Sequence, residues 1–221
     1  MNLALYGGGC SEEVEAIDRA LLDNFSNPSE IKMTFIPSCS YFAQEDYNEF
    51  IEQYEKFNIH KIIKFEVDMP YSEIMCEQVF SSDIIHLGGG NTFYFIKHLR
   101  KNNFLKKLKD WVRAGGVLTG LSAGAIIMTP SINTASFPDF DKDDNEVNIK
   151  NMKGMSLASF EFFPHYKNSK RYDNELIKYS KQLSVPLYAC PDGSGILQKN
   201  GSLSFVGKVS CFFNGKKFSI N

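Results

Sequence analysis

The residues best suited to chemistry in this chain are a serine between small neighbours and a histidine closing an apolar run. Gly120-Leu121-Ser122-Ala123-Gly124 has the form G-x-S-x-G. The stretch leading into it reads as a buried strand and the stretch from Ala123 as a helix, so the serine falls on a strand-to-helix turn. Such a turn strains the backbone of its central residue and needs small neighbours, which Gly120, Ala123 and Gly124 supply. The hydroxyl would stand at the carboxyl end of a strand, beside the N–H groups and positive dipole end of the following helix. The competing reading makes Ser122 a helix cap in a small-residue bend.

A serine hydroxyl attacks well only when a positioned base takes its proton, and histidine is the side chain whose pKa suits that task. Four histidines are present. His60, His86 and His98 lie in contexts that read as structural or solvated. His165, in EFFPHYKNS, follows a stiffening proline at the end of a strand-like run and precedes a polar segment. The developing oxyanion needs donors as well, and Gly88-Gly89-Gly90 follows a strand and precedes a helix. The N–H of Gly89 or Gly90, paired with that of Ala123, would form an oxyanion hole. A phosphate-binding loop or a plain tight turn fits the same three glycines.

Gly7-Gly8-Gly9 invites a dinucleotide reading and fails it. The third glycine of G-x-G-x-x-G would fall at position 12, which is Glu12 with Glu13 beside it, and two carboxylates there repel a pyrophosphate. Asp139, Asp141 and Asp143 open like a calcium loop, but the required glycine is Asp144 and the closing glutamate is Lys150, so a solvated loop over the cleft is the expectation.

These residues need elements to position them. Short apolar runs at 3–6, 33–36, 61–66, 83–87 and 117–119 alternate with segments of helical period, such as Val14, Ile17 and Leu21 or Phe50, Tyr54 and Phe57. That alternation predicts an α/β fold of three layers, flavodoxin-like, with a mostly parallel sheet and helices on both faces. A helix is expected around residues 174–183. The C-terminal strands, punctuated by PDGSG, KNG and FNG, are expected to add antiparallel hairpins at one sheet edge.

Bulk properties exclude several classes. The 221 residues are 43% hydrophobic and 23% charged, which suits a single α/β domain over residues 1–221. A formal net charge of −2 offers no field for nucleic acid or an anionic membrane. The apolar runs are too short to span a bilayer and the start lacks the features of a leader, so a cytoplasmic location is expected. The five scattered cysteines predict neither disulfides nor a metal site, and no cofactor is expected.

LGGGNTF, then GLSAGA with Ser122 34 residues after Gly88, then FPHY, closely resembles the dipeptidase E and cyanophycinase family of serine peptidases. The resemblance runs from the first strand through PDGSGILQKNG. It implies a class I glutamine amidotransferase-like architecture, a serine in place of the usual cysteine nucleophile, and a small peptide substrate; a monomer or homodimer is expected. Ser122 matches the family nucleophile and His165 its base. The family aspartate, fifteen residues after the serine, is replaced by Phe137. Asp139 is the nearest substitute on strand parity, with Asp192, Glu161 or no acid at all as competitors. Arg171 matches an arginine that would meet an aspartyl substrate's carboxylate. An α/β-hydrolase-type esterase and a non-catalytic binding module are the rival readings.

Overall fold

The computed structural model describes residues 2–220. Its larger sheet has the order β3-β2-β4-β5-β1-β8-β9, built from β1 (Asn2–Tyr6), β2 (Lys32–Ile36), β3 (Lys61–Lys64), β4 (Ile84–Leu87), β5 (Val117–Leu121), β8 (Gly195–Lys199) and β9 (Ser202–Val206). The first five strands pair in parallel, and β8 and β9 add antiparallel at the β1 edge.

Side chains alternate faces along a strand, and both faces here are apolar. Leu3 and Leu5 of β1 enter one core while Ala4 and Tyr6 enter the other. On the second of these faces, α1 (Glu15–Leu22) supplies Ile17 and Leu21, and α2 (Ala43–Glu55) supplies Phe50 and Tyr54. The opposite face is covered by α3 (Glu73–Phe80), α4 (Thr92–Leu99), α5 (Phe104–Arg113) and α6 (Ala123–Met128), through Val79, Phe93, Leu108 and Ile127 among others. Each such fully buried side chain contributes about 1.5–3 kcal/mol. The predicted three-layer α/β architecture is therefore present.

One part of the tail differs from expectation. Only β8 and β9 extend the main sheet; β10 (Ser210–Phe213) and β11 (Lys216–Ser219) join β7 (Leu187–Ala189) and β6 (Glu161–Phe163) in a second sheet of order β11-β10-β7-β6. The reason is a third apolar cluster: Phe163, Leu187, Ala189 and Phe212 pack against Tyr172 and Leu176 of α7 (Lys170–Ser180). That cluster gives the later strands their own helix to cover. Within it β6 and β7 run in parallel, with Phe163 opposite Ala189, so the segments leaving both strands emerge side by side.

Candidate active site

Three loops meet at the carboxyl edge of the main sheet, because β4, β5 and β1 are adjacent there. Ser122 leaves β5 with φ 51° and ψ −108°, outside the regions an L-residue favours, a conformation costing on the order of 1–3 kcal/mol. Its N–H donates to Tyr6 O of β1 at 3.1 Å, and Ile126 N–H donates to Ser122 O. These bonds hold the turn to both neighbours. Helix α6 then passes so near β4 that a Cβ on Gly124 would fall within 3.0 Å of Leu87 O. The small residues of the motif are there for close approach.

The second sheet delivers the histidine. His165 follows β6 after Pro164, has φ 51°, and donates its N–H to Gly7 O at 2.7 Å. Its Nε2 lies 2.8 Å from Ser122 Oγ, and its Nδ1 lies 2.7 Å from Asp192 Oδ1. Asp192 stands on the segment after β7, the parallel neighbour of β6, and Tyr166 N–H donates to Cys190 O to tie the two segments together. A hydroxyl, an imidazole and a carboxylate are thus in line, the carboxylate on one ring nitrogen and the hydroxyl on the other.

The acid favoured from the sequence lies away from the imidazole. The side chain of Asp139 is 92% exposed and pairs with Lys142 at 2.9 Å, while Asp192 takes the place beside the imidazole. Residue 139 does not continue a strand; the chain forms a 3₁₀ turn at Asn133–Ser136, and Phe137 then packs against Phe163 and Tyr179. Glu161 is also elsewhere: it is buried in β6 and accepts from Tyr179 Oη at 2.6 Å, and burial raises its pKa. Arg171 is not among the residues lining the cleft around the serine; its guanidinium stacks 3.4 Å from the ring centroid of Phe140, which does line that cleft.

Backbone donors surround the hydroxyl. Gly88 N–H is engaged by Ile36 O at 2.9 Å, whereas the N–H groups of Gly89 and Gly90 have no partner among the described residues. Gly89 borders the serine, since a Cβ built on it would be 3.7 Å from Ser122 Cβ, and Gly90 lines the cleft. Ala123 is the first residue of α6, so its N–H has no intrahelical acceptor. The cleft itself, about 570 Å³, runs past Ser122 and His165 along a wall of Asp139, Asp141, Asp143 and Asp144.

Gly8 is the site residue that sequence reasoning missed. With φ +132° it lies under the relay, and a Cβ there would come closer than 3.0 Å to both Asp192 Oδ1 and the His165 ring. Gly193 N–H donates to Gly8 O at 2.9 Å and Gly7 N–H to Ser194 O at 2.8 Å. The first glycine run therefore seats the imidazole and carboxylate; its position directly after β1 was the available signal. The other histidines are structural or solvated: His86 is buried against Thr119 Oγ1 at 2.8 Å with its pKa pushed by burial to about 3, His98 is buried on α4, and His60 bonds Asn58 at the surface. All five cysteines are free, and among the described residues no group of three or more His, Cys, Asp or Glu side chains is arranged to hold a metal ion. No helix of the described residues is long and apolar enough to cross a membrane.

A mostly parallel α/β sheet carrying a strand-to-helix serine at its carboxyl edge defines the class, a hydrolase of serine type. The chain matches the model of peptidase family S51 over residues 3–206 and belongs to that family; it is a peptidase, a hydrolase acting on peptide bonds. Peptidase E of a Nostoc species is 28% identical over 215 residues, covering 91% of this chain and 83% of that protein. An uncharacterized peptidase of Listeria monocytogenes is 29% identical over 147 residues, 65% of this chain and 70% of the relative. Among solved structures, a Listeria monocytogenes protein provisionally assigned as a peptidase E superposes with a TM-score of 0.73 at 21% identity, covering 92% of this chain and 96% of the other. A peptidase from an acI-B1 Actinobacterium gives 0.67 at 16% identity, covering 99% and 96%.

Proposed function

We propose that this peptidase hydrolyses short peptides through Ser122, His165 and Asp192. Ser122 Oγ attacks the scissile carbonyl carbon while His165 Nε2 takes its proton. Asp192 accepts from Nδ1–H, which selects the tautomer with Nε2 unprotonated and steadies the imidazolium that forms. The oxyanion of the tetrahedral intermediate is received by Ala123 N–H together with that of Gly89 or Gly90. Collapse breaks the C–N bond, the imidazolium protonates the departing amine, and an acyl-enzyme ester remains. Water then repeats the sequence with His165 as base and releases Ser122.

The observation that carries this reading is the pair of contacts on one imidazole, 2.8 Å to the serine and 2.7 Å to the carboxylate. Chain order separates it from an α/β-hydrolase esterase, where the acid precedes the histidine; here Asp192 follows His165. A non-catalytic module drew its support from Phe137 at the family aspartate position, and an acid supplied from residue 192 removes that support. Hydrolysis of a dipeptide panel by the wild type and by Ser122→Ala tests the proposal. Turnover should fall on the order of 10⁶-fold in the variant if the three groups act as a unit; retained turnover would refute it.

A further inference from the structure

We infer that Tyr166, held by Asp173 and Lys217, is a positioning residue for His165, so that the C-terminal hairpin of β10 and β11 fixes the imidazole; this role rests on the peptidase reading above. His165 has φ 51°, a conformation that a residue with a side chain keeps only where its surroundings impose it. Its own N–H donates to Gly7 O at 2.7 Å, which holds it from the side of β1. The hold from the other side comes through the next residue. Tyr166 N–H donates to Cys190 O at 3.1 Å, on the segment that carries Asp192, and its ring is 2% exposed within the third apolar cluster.

Charge secures the far end of that ring. Tyr166 Oη donates to Asp173 Oδ1 in the first turn of α7. Lys217 Nζ donates to both oxygens of Asp173, at 3.1 and 2.9 Å, and to Asn168 Oδ1 at 2.7 Å. Lys217 reaches this point because it stands opposite Phe212 across the β10–β11 pair, and Phe212 meets the Tyr166 ring edge-on at 5.9 Å. The ammonium also lies 5.4 Å from the centroid of the Tyr166 ring, an attractive placement for a cation. The side chains of Lys217 and Asp173 are only 25% and 22% exposed, so solvent screens the pair in part.

Tyr166, Asp173 and Lys217 are not among the residues lining the cleft around Ser122, so their effect on turnover has to pass through His165. Lys217 also stands beyond residue 206, where the match to the family ends. The clamp therefore joins the histidine to a part of the chain that the shared motifs do not describe.

The test uses the purified full-length chain with Tyr166→Phe, Lys217→Met and the two combined, and Lys216→Met, on the exposed opposite face of β11, as the control. Four quantities are measured: kcat and KM on the dipeptide that the wild type cleaves fastest, the rate of fluorophosphonate labelling of Ser122, thermal unfolding, and, below the melting temperature, the downfield proton NMR resonance of the Nδ1–H that His165 shares with Asp192. Each single variant should lower kcat and labelling rate together by about 10- to 100-fold, the upper figure corresponding to a displacement of about 1 Å, with KM nearly unchanged. The resonance should shift or broaden in both. The double variant should lose little more than the worse single one, because the two residues act through one chain of contacts. Should Lys217→Met fail to fold, Tyr166→Phe, which removes a single oxygen, decides the matter. A folded Tyr166→Phe protein with wild-type kcat and an unmoved resonance, a loss of melting temperature alone, or losses that add in the double variant overturns the inference, and wild-type labelling leaves the serine machinery standing. A wild type that neither labels nor hydrolyses any dipeptide defeats the peptidase reading beneath it, and the inference with it.

Discussion

Replacing Gly8 by alanine is the perturbation whose consequence can be worked out furthest. The added methyl would enter within 3.0 Å of both Asp192 Oδ1 and the His165 ring. Ordinary contact between such atoms is about 3.5–4.0 Å, so ring and carboxylate must retreat by roughly 1 Å. The imidazole cannot follow freely, because His165 N–H is bound to Gly7 O at 2.7 Å. A retreat of that size stretches the 2.8 Å bond from Nε2 to Ser122 Oγ beyond hydrogen-bonding range. Misplacement by about 1 Å costs about 10²-fold, and loss of the orienting carboxylate as much as about 10⁴-fold, so kcat/KM should fall between those limits. Backbone strain at φ +132° adds a stability loss on the order of 1–3 kcal/mol. Gly115→Ala is the control: its φ is +116° and nothing lies within 4 Å of the new Cβ, so it carries the strain without the clash. Peptide hydrolysis, fluorophosphonate labelling rate and thermal unfolding would be measured for both variants. Wild-type turnover in a folded Gly8→Ala protein, or an equal loss in the control, would refute the reasoning.

Exchanging Asp192 for asparagine should lower kcat by about 10⁴-fold with little change in melting temperature, because the carboxylate that sets the His165 tautomer is lost. Asp139→Asn breaks a surface pair with Lys142 and should fall short of that loss by at least about 100-fold in the same assay. Asp18 supplies a test of the fold. It is buried on α1, accepts from Tyr6, Tyr54 and Gln53, and desolvation raises its pKa from 3.8 to about 6. The protonated form is thus favoured in the native state, and its contribution, ~3 kcal/mol, is complete below about pH 4 and lost as pH rises through about 6. Asp18→Asn removes that slope, so urea unfolding should show the variant gaining on the wild type from pH 4 to pH 7; a constant difference would contradict the assignment.

The serine turn was legible because its determinants are local: an apolar strand, small residues and a helix follow one another within a dozen positions. His165 was legible for the same reason, a strand end marked by Pro164. Asp192 was only one competitor among several acids because its partnership depends on β6 and β7 lying in parallel, a pairing between segments that no spacing in the chain reveals. Counting strand parity from the family position favoured Asp139, but Phe137 is drawn into the third apolar cluster and breaks the extended run on which that parity relied. Gly8 carries no local signal beyond a nucleotide fingerprint that Glu12 breaks. Its role follows from β1 lying beside β5, which puts the loop after the first strand under the loop that carries the serine. The second sheet was missed because strands of three or four residues can join either edge, and the choice is made by α7.

Mass-spectrometric mapping of the covalent adduct formed with a fluorophosphonate tests the central claim most directly. The account predicts one adduct, on Ser122, forming far more slowly in His165→Ala and Asp192→Asn than in the wild type. An unmodified Ser122 in folded protein, or labelling indifferent to His165, would contradict it.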